Sequence, residues 1–143
     1  MSEVVVTSLS NLRQEVRYGD GHTFNTDEPA GLGGEDAGPD PYTLLLAALG
    51  SCISMTVTLY ARRKGWPLAG VTVRLRQRRE HARDCAECQT EGDAFIHRIE
   101  RAVAVTGDLT AEQQARLQEI AHKCPVHKTL TAEIVIADWQ DAA

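Results

Sequence analysis

The stretch PYTLLLAALGSCISMTVTLYARRK, residues 41–64, decides the fold. From Pro41 to Ala61 it carries no charge, and Arg62, Arg63 and Lys64 close it. Asp40 stands where it can cap a helix. Pro41 suits the first helical position, because its missing N–H would have had no partner there. The spacing predicts a helix from Pro41 to about Lys64 that stops before Gly65-Trp66-Pro67. Between Leu44 and Leu59 it is apolar almost all round, as expected of a helix wrapped by other elements on every side. A length of this kind could also span a bilayer, with the basic triplet as its flank. Thr43, Gly50, Ser51, Ser54, Thr56 and Thr58 dilute it, and without it the strands would lack a core element. The expectation is a central buried helix and no membrane partner.

Around this helix the chain alternates short strands with turns. Residues 3–8 and 11–18 read as two strands, the second with Leu12, Val16 and Tyr18 on one face and Arg13, Glu15 and Arg17 on the other. Tyr18-Gly19-Asp20-Gly21 bends the chain, and residues 27–41, rich in Gly, Pro and acid, read as a loop with nothing to pack. After the helix, residues 70–79 form a strand with Val71, Val73 and Leu75 on its apolar face. Residues 80–93 form a polar connection, and residues 94–106 a long strand carrying Phe95, Ile99, Val103 and Val105 on one face. A second helix starts at Thr110, which forms a capping box with Gln113. Leu117, Ile120, Ala121 and Cys124 make its buried stripe, and Pro125 ends it. A last strand covers residues 132–138. The order of elements is that of an α+β domain with antiparallel sheets, one domain over residues 1–143.

Composition narrows the function. The 143 residues hold 15 Lys and Arg against 20 Asp and Glu, a formal charge of −5, which argues against a nucleic-acid partner. The opening MSEVVVTS has no basic region, apolar run or cleavage site of a signal peptide. A cytoplasmic protein is expected, and there its four cysteines are more often catalytic, redox-active or metal-binding than structural.

Cys52 lies inside the first helix beside Gly50 and Ser51, and Cys124 closes the apolar stripe of the second. A buried cysteine ordinarily serves as a small hydrophobe, and small residues around Cys52 suit close approach of a neighbour. If the two sulfurs meet, they are not equivalent. Cys124 at a helix C-terminus would be disfavoured as a thiolate by the dipole, whereas a nearby arginine would activate Cys52. Cys52 would then attack and Cys124 resolve.

The runs DEPAGLGGEDAGPDPYTLLLAALGSC and ARLQEIAHKCPVHKTL, in this order and at this separation, resemble the OsmC/Ohr family over nearly the whole chain. The resemblance implies an OsmC-like fold in an intertwined homodimer, with the cysteine helix buried centrally. It implies that Cys52 matches the peroxide-attacking cysteine and Cys124 the resolving one. The activity implied is thiol-dependent reduction of a small organic hydroperoxide, with an external dithiol as reductant and no required cofactor. The peroxidase branches carry a glutamate ten residues before the cysteine, paired with an arginine from the N-terminal strands. Tyr42 occupies that position here, and Arg17 is the expected activating arginine, with Arg13 on the same face. Tyr42 also keeps open a non-catalytic binding or stress-associated module on the same fold.

Cys85-Ala86-Glu87-Cys88 is a C-x-x-C pair in the polar connection. It reads as two loosely packed thiols, as part of a zinc site completed by His81 and His97, or as a redox dithiol. His22 and His127 could each tune a thiol, and His122 falls outside the apolar stripe and is expected to be solvated. Arg74, Arg76, Arg78 and Arg79 alternate along a strand as a charged outer face.

Overall fold

The computed structural model describes residues 2–140 and divides into two compact units, the first ending at Ala47 and the second beginning at Ala48. The first holds strands β1 (Val4–Ser8), β2 (Gln14–Tyr18) and β3 (His22–Thr26) in an antiparallel sheet of that order. Val6, Val16 and Phe24 stand in register across it. The sequence reading gave β1 and β2 but only a bend after them. Gly19 and Gly21 take φ of 55° and 89°, and the chain returns at once as β3, pairing Tyr18 with His22. β2 starts at Gln14 rather than residue 11, because Leu9–Arg13 is a turn with Asn11 at φ 55°.

Residues 27–40 are also more organised than a loop with nothing to pack. Asp27 is buried, and its carboxylate accepts from the backbone N–H groups of Glu28 (2.8 Å), Glu35 (3.1 Å) and Ala37 (3.2 Å). The Arg13 guanidinium donates to Glu35 at 2.8 Å. Gly34 and Gly38 lie so close to the carbonyls of Glu28 and Asn25 that a Cβ would overlap them. The glycines of this stretch are therefore needed where the chain folds back on itself.

Helix α1 (Pro41–Lys64) has the predicted bounds, and Asp40 Oδ1 accepts from the Thr43 N–H at 2.7 Å. The second unit packs on it. Strands β4 (Leu68–His81) and β5 (Phe95–Gly107) pair antiparallel along nearly their whole length, Val73 opposite Val103. β4 runs further than the expected residues 70–79 and absorbs the start of the polar connection, whereas β5 is displaced by one residue from the expected 94–106. Helix α2 (Ala111–Ala121) begins at the Thr110–Gln113 capping box, and a short helix α3 (Pro125–Leu130) follows. Leu49, Ile53, Val57 and Ala61, one residue per turn of α1, are buried with Leu117, Ile120, Ala121 and Cys124. Val71, Val73, Leu75, Ile99, Val103 and Val105 pack on that cluster from the strands. Burial of Ile53 or Val57 is worth about 1.5–3 kcal/mol each.

Within one chain, helix α1 is covered along one stripe, and Met55 and Leu59 are exposed at 64% and 61%. Two expectations of packing are corrected. Phe95 lies off the core, with the Arg79 guanidinium 4.4 Å from its ring centroid and His81 stacked at 4.2 Å. Residues 133–140 form no strand, and Val135, Ile136 and Trp139 are exposed. A strand needs a neighbouring edge for its backbone groups, and among the described residues none is paired with this segment. Helix α1 is long and apolar enough to cross a membrane by length and composition, but its buried stripe is that of a core helix.

Asp27 carries a testable consequence. Burial alone would raise its pKa, but the three backbone N–H groups and Arg13 outweigh it and hold the pKa below the ordinary 3.8. A depressed folded-state pKa adds stability that is present above the unfolded value and lost as pH falls through the folded one. Asp27→Asn, with one acceptor oxygen, should lower the urea midpoint at pH 7 and flatten its decline below pH 4. Equal midpoints and slopes for both proteins would remove Asp27 as the organiser of this segment.

Candidate active site

Cys52 and Cys124 are brought together by the packing of α1 against α2 and α3. Cys52 follows Leu49 by three residues on α1 and is half-buried beside the core cluster, and Cys124 is fully buried within it. Gly50 explains part of the small-residue pattern here: a Cβ would stand 2.7 Å from Leu75 Cδ1, so β4 approaches α1 closely and a larger residue would require the Leu75 side chain to shift. The two free thiols are neighbours, close enough that Cys52 acts on Cys124 electrostatically.

The position of Cys124 differs from the sequence reading. α2 ends at Ala121, and Cys124 precedes α3 as its capping residue, with Pro125 at the first helical position. Its Sγ accepts the His127 N–H at 3.2 Å. Pro125 thus starts a helix rather than ending one, and the local backbone N–H groups favour a thiolate instead of opposing it. Burial outweighs them and, with the adjacent Cys52, pushes the Cys124 thiol above its ordinary pKa. What disfavours a thiolate at Cys124 is desolvation and not a helix dipole.

Arg101 and two histidines complete this end of the site, and no sequence signal had marked the arginine. Arg101 donates to the Ala121 carbonyl at 3.0 Å and contacts His122 Nδ1 at 2.6 Å. His122, expected to be solvated, is exposed but held by that contact. Burial, Arg101 and His122 together lower the pKa of His127, so its ring is neutral at pH 7.

Arg17 is exposed on β2 and donates to Glu15 at 2.8 Å. Cys85 and Cys88 are not loose thiols: they form a disulfide, with Cα atoms 5.5 Å apart. Among the described residues, Glu80, Cys85 and Cys88 place potential ligand atoms within 4.8 Å of one another, and His81 and His97 lie outside this group. Arg98, also unmarked by the sequence, crosses the group, donating to Glu80 at 2.6 Å and Glu87 at 2.9 Å. His81 stacks on Phe95 instead, and its Nδ1 is buried without a hydrogen-bond partner.

Comparison with known proteins follows the same outline. Residues 33–137 match the family described as OsmC-like protein, a span that includes both free cysteines. No curated protein matches the chain in sequence. Several solved structures share its fold. An organic hydroperoxide resistance protein from Elizabethkingia anophelis superposes with a TM-score of 0.65 at 23% identity, over 92% of this chain and 88% of that one. The organic hydroperoxide resistance protein OsmC from Legionella pneumophila gives 0.65 at 20% identity, over 92% and 89%. An OsmC-like protein from Mycoplasma pneumoniae gives 0.70 at 15% identity, over 91% and 86%.

The thiol environments make a direct prediction. In native, reduced protein at pH 8, iodoacetamide should label Cys52 at least about tenfold faster than Cys124, because only thiolate reacts and Cys124 is held protonated. Peptide mass analysis over a time course reads the two rates, and equal rates would contradict the inequality.

Proposed function

Because the chain belongs to the OsmC-like protein family, we propose that it reduces small organic hydroperoxides, with Cys52 as the attacking thiol and Cys124 as the resolving one. The observation that carries this reading is the juxtaposition, in one packed cluster, of two free thiols 72 residues apart in sequence. The Cys52 thiolate attacks the distal oxygen of the hydroperoxide, the O–O bond breaks, and the alkoxide leaves as an alcohol after taking a proton. Cys52 is left as a sulfenic acid. The sulfur of Cys124 then attacks the Cys52 sulfur, and its proton leaves with the hydroxyl as water, giving a disulfide. Desolvation keeps Cys124 from competing for the hydroperoxide, and leaves it to react with the Cys52 sulfur beside it. An external dithiol reopens the bridge by exchange. The scheme uses no metal or organic cofactor.

Arg17 is proposed as the cation that favours the Cys52 thiolate, released from Glu15 to do so. Tyr42 stands where the peroxidase branches carry a glutamate, so Arg17 lacks that carboxylate partner. The chain is proposed to work as a single domain, in the cytoplasm and as a homodimer. The apolar residues Met55, Leu59, Val135 and Ile136, exposed in one chain, support a second copy as their cover.

Cys52→Ser should abolish hydroperoxide consumption, because a hydroxyl is far too weak a nucleophile here. Cys124→Ser should consume one equivalent per site, leave Cys52 as a trappable sulfenic acid and then stall. If wild type and Cys52→Ser consume hydroperoxide equally from pH 6 to pH 9, the non-catalytic reading takes over. Assembly is tested by sedimentation at micromolar concentration, where twice the chain mass is expected. A folded species of one chain mass would contradict the dimer.

A further inference from the structure

The Cys85–Cys88 disulfide is poorly explained as a staple. The entropy that a bridge removes from the unfolded chain falls with the length of the loop, and this one closes only four residues. Both cysteines are half-buried, and the residues between them are exposed, so the bridge is open to reagents. Its surroundings are polarised. Arg98 Nη2 lies 3.4 Å from Cys85 Sγ, and the carboxylates of Glu80 and Glu87 hold that guanidinium in place. Glu87 Oε2 reaches only to 4.0 Å of the same sulfur. A guanidinium against one sulfur of a C-x-x-C pair favours that sulfur as a thiolate, both as leaving group and as nucleophile. The same guanidinium occupies the Glu80 carboxylate that a metal would need, so the arrangement suits thiol exchange better than a divalent cation.

The bridge also lines a cavity shared with the elements that carry the other cysteine pair. A cavity of ≈ 310 Å³ is lined by Cys85, Cys88 and Arg98 on one side and by Leu49, His127 and Thr131 on the other. His127 is the residue whose N–H meets Cys124 Sγ, and Leu49 lies one helical turn before Cys52. The cavity therefore separates the C-x-x-C bridge from the two elements that carry Cys52 and Cys124.

We propose that Cys85 and Cys88 form a second redox centre that relays electrons from an external dithiol to the Cys52–Cys124 disulfide. The proposal rests on the reading of Cys52 and Cys124 as a redox pair. The external dithiol first reduces the Cys85–Cys88 bridge and becomes a disulfide itself. The connection carrying Cys85 then closes across the cavity, and the Cys85 thiolate attacks the Cys124 sulfur. A Cys85–Cys124 bond forms, the Cys52–Cys124 bond breaks, and Cys52 leaves as a thiolate. It is the better leaving group, since desolvation disfavours a thiolate at Cys124. Cys88 next attacks the Cys85 sulfur, its proton passing to Cys124, which departs as a thiol. Two electrons have moved, the Cys85–Cys88 bridge is restored, and Cys52 is again a thiolate.

The relay is tested without hydroperoxide. Full-length protein is oxidised with diamide to carry both bridges and treated with one equivalent of dithiothreitol, and its thiols are alkylated at intervals for peptide mass analysis. Wild type should open the Cys85–Cys88 bridge first and end with Cys52 and Cys124 free and the Cys85–Cys88 bridge closed. The double variant Cys85→Ser/Cys88→Ser should open its Cys52–Cys124 bridge about tenfold more slowly. Cys88→Ser alone, oxidised and treated likewise, should accumulate a Cys85–Cys124 mixed disulfide, a readout that holds even if the double variant folds poorly. Opening of the Cys52–Cys124 bridge at the wild-type rate in the double variant, absence of the mixed disulfide, or failure of diamide to form that bridge at all would each overturn the relay. If the relay signals are present but Cys52 consumes no hydroperoxide, the peroxidase reading fails and the relay stands.

Discussion

The buried stripe of α1 is the constraint on which the second unit depends. Leu49, Ile53, Val57 and Ala61 recur once per turn, and each meets the apolar side of α2 or of the β4–β5 sheet. Because α1 is held on this line, Cys52, one residue before Ile53, is carried into contact with Cys124. Removing side-chain volume from the stripe would do more than weaken the core. Ile53→Ala, at about 2–5 kcal/mol for a fully buried aliphatic residue, would loosen the packing that sets one sulfur against the other.

The chemistry of the site follows from where water is excluded. Cys124 is fully buried, and the backbone N–H of His127 does not offset the desolvation. A thiol in that state is a poor first nucleophile, and it reacts only when an electrophilic Cys52 sulfur stands beside it and its proton is lost as it attacks. Cys52 is on the accessible side of the pair. The division of labour thus comes from unequal burial of two identical groups. Arg98 supplies the contrasting case: a half-exposed disulfide with a cation against one sulfur, a setting for exchange rather than for peroxide attack.

Much of this was legible in the sequence where the signal is local. The bounds of α1 followed from Asp40, Pro41 and Gly65, and the start of α2 from Thr110 and Gln113, because caps and breakers act within a few residues. The apolar faces of β4 and β5 were legible for the same reason. What depended on distant partners was not. Asp27 organises its loop through N–H groups up to ten residues away, and a single acidic residue in a polar run carries no mark of that. Arg98 and Arg101 look like ordinary members of an alternating strand until their neighbours are known. The alternating run at 132–138 has the composition of a strand, but pairing requires an edge that composition cannot supply. Cys124 was assigned to its buried stripe correctly and to the wrong end of a helix. Pro125 stops a helix and starts one equally well, and only the backbone distinguishes the two.

The central claim is that Cys52 and Cys124 are one redox unit, and counting thiols tests it most directly. Reduced Cys85→Ser/Cys88→Ser protein, which has no second dithiol to reopen the bridge, receives one equivalent of an organic hydroperoxide and is then alkylated and digested. The account predicts the loss of two thiols per peroxide consumed and one new cross-linked species joining the Cys52 and Cys124 peptides. Retention of both thiols after the peroxide has been offered, or a bridge that bypasses Cys52, would contradict it.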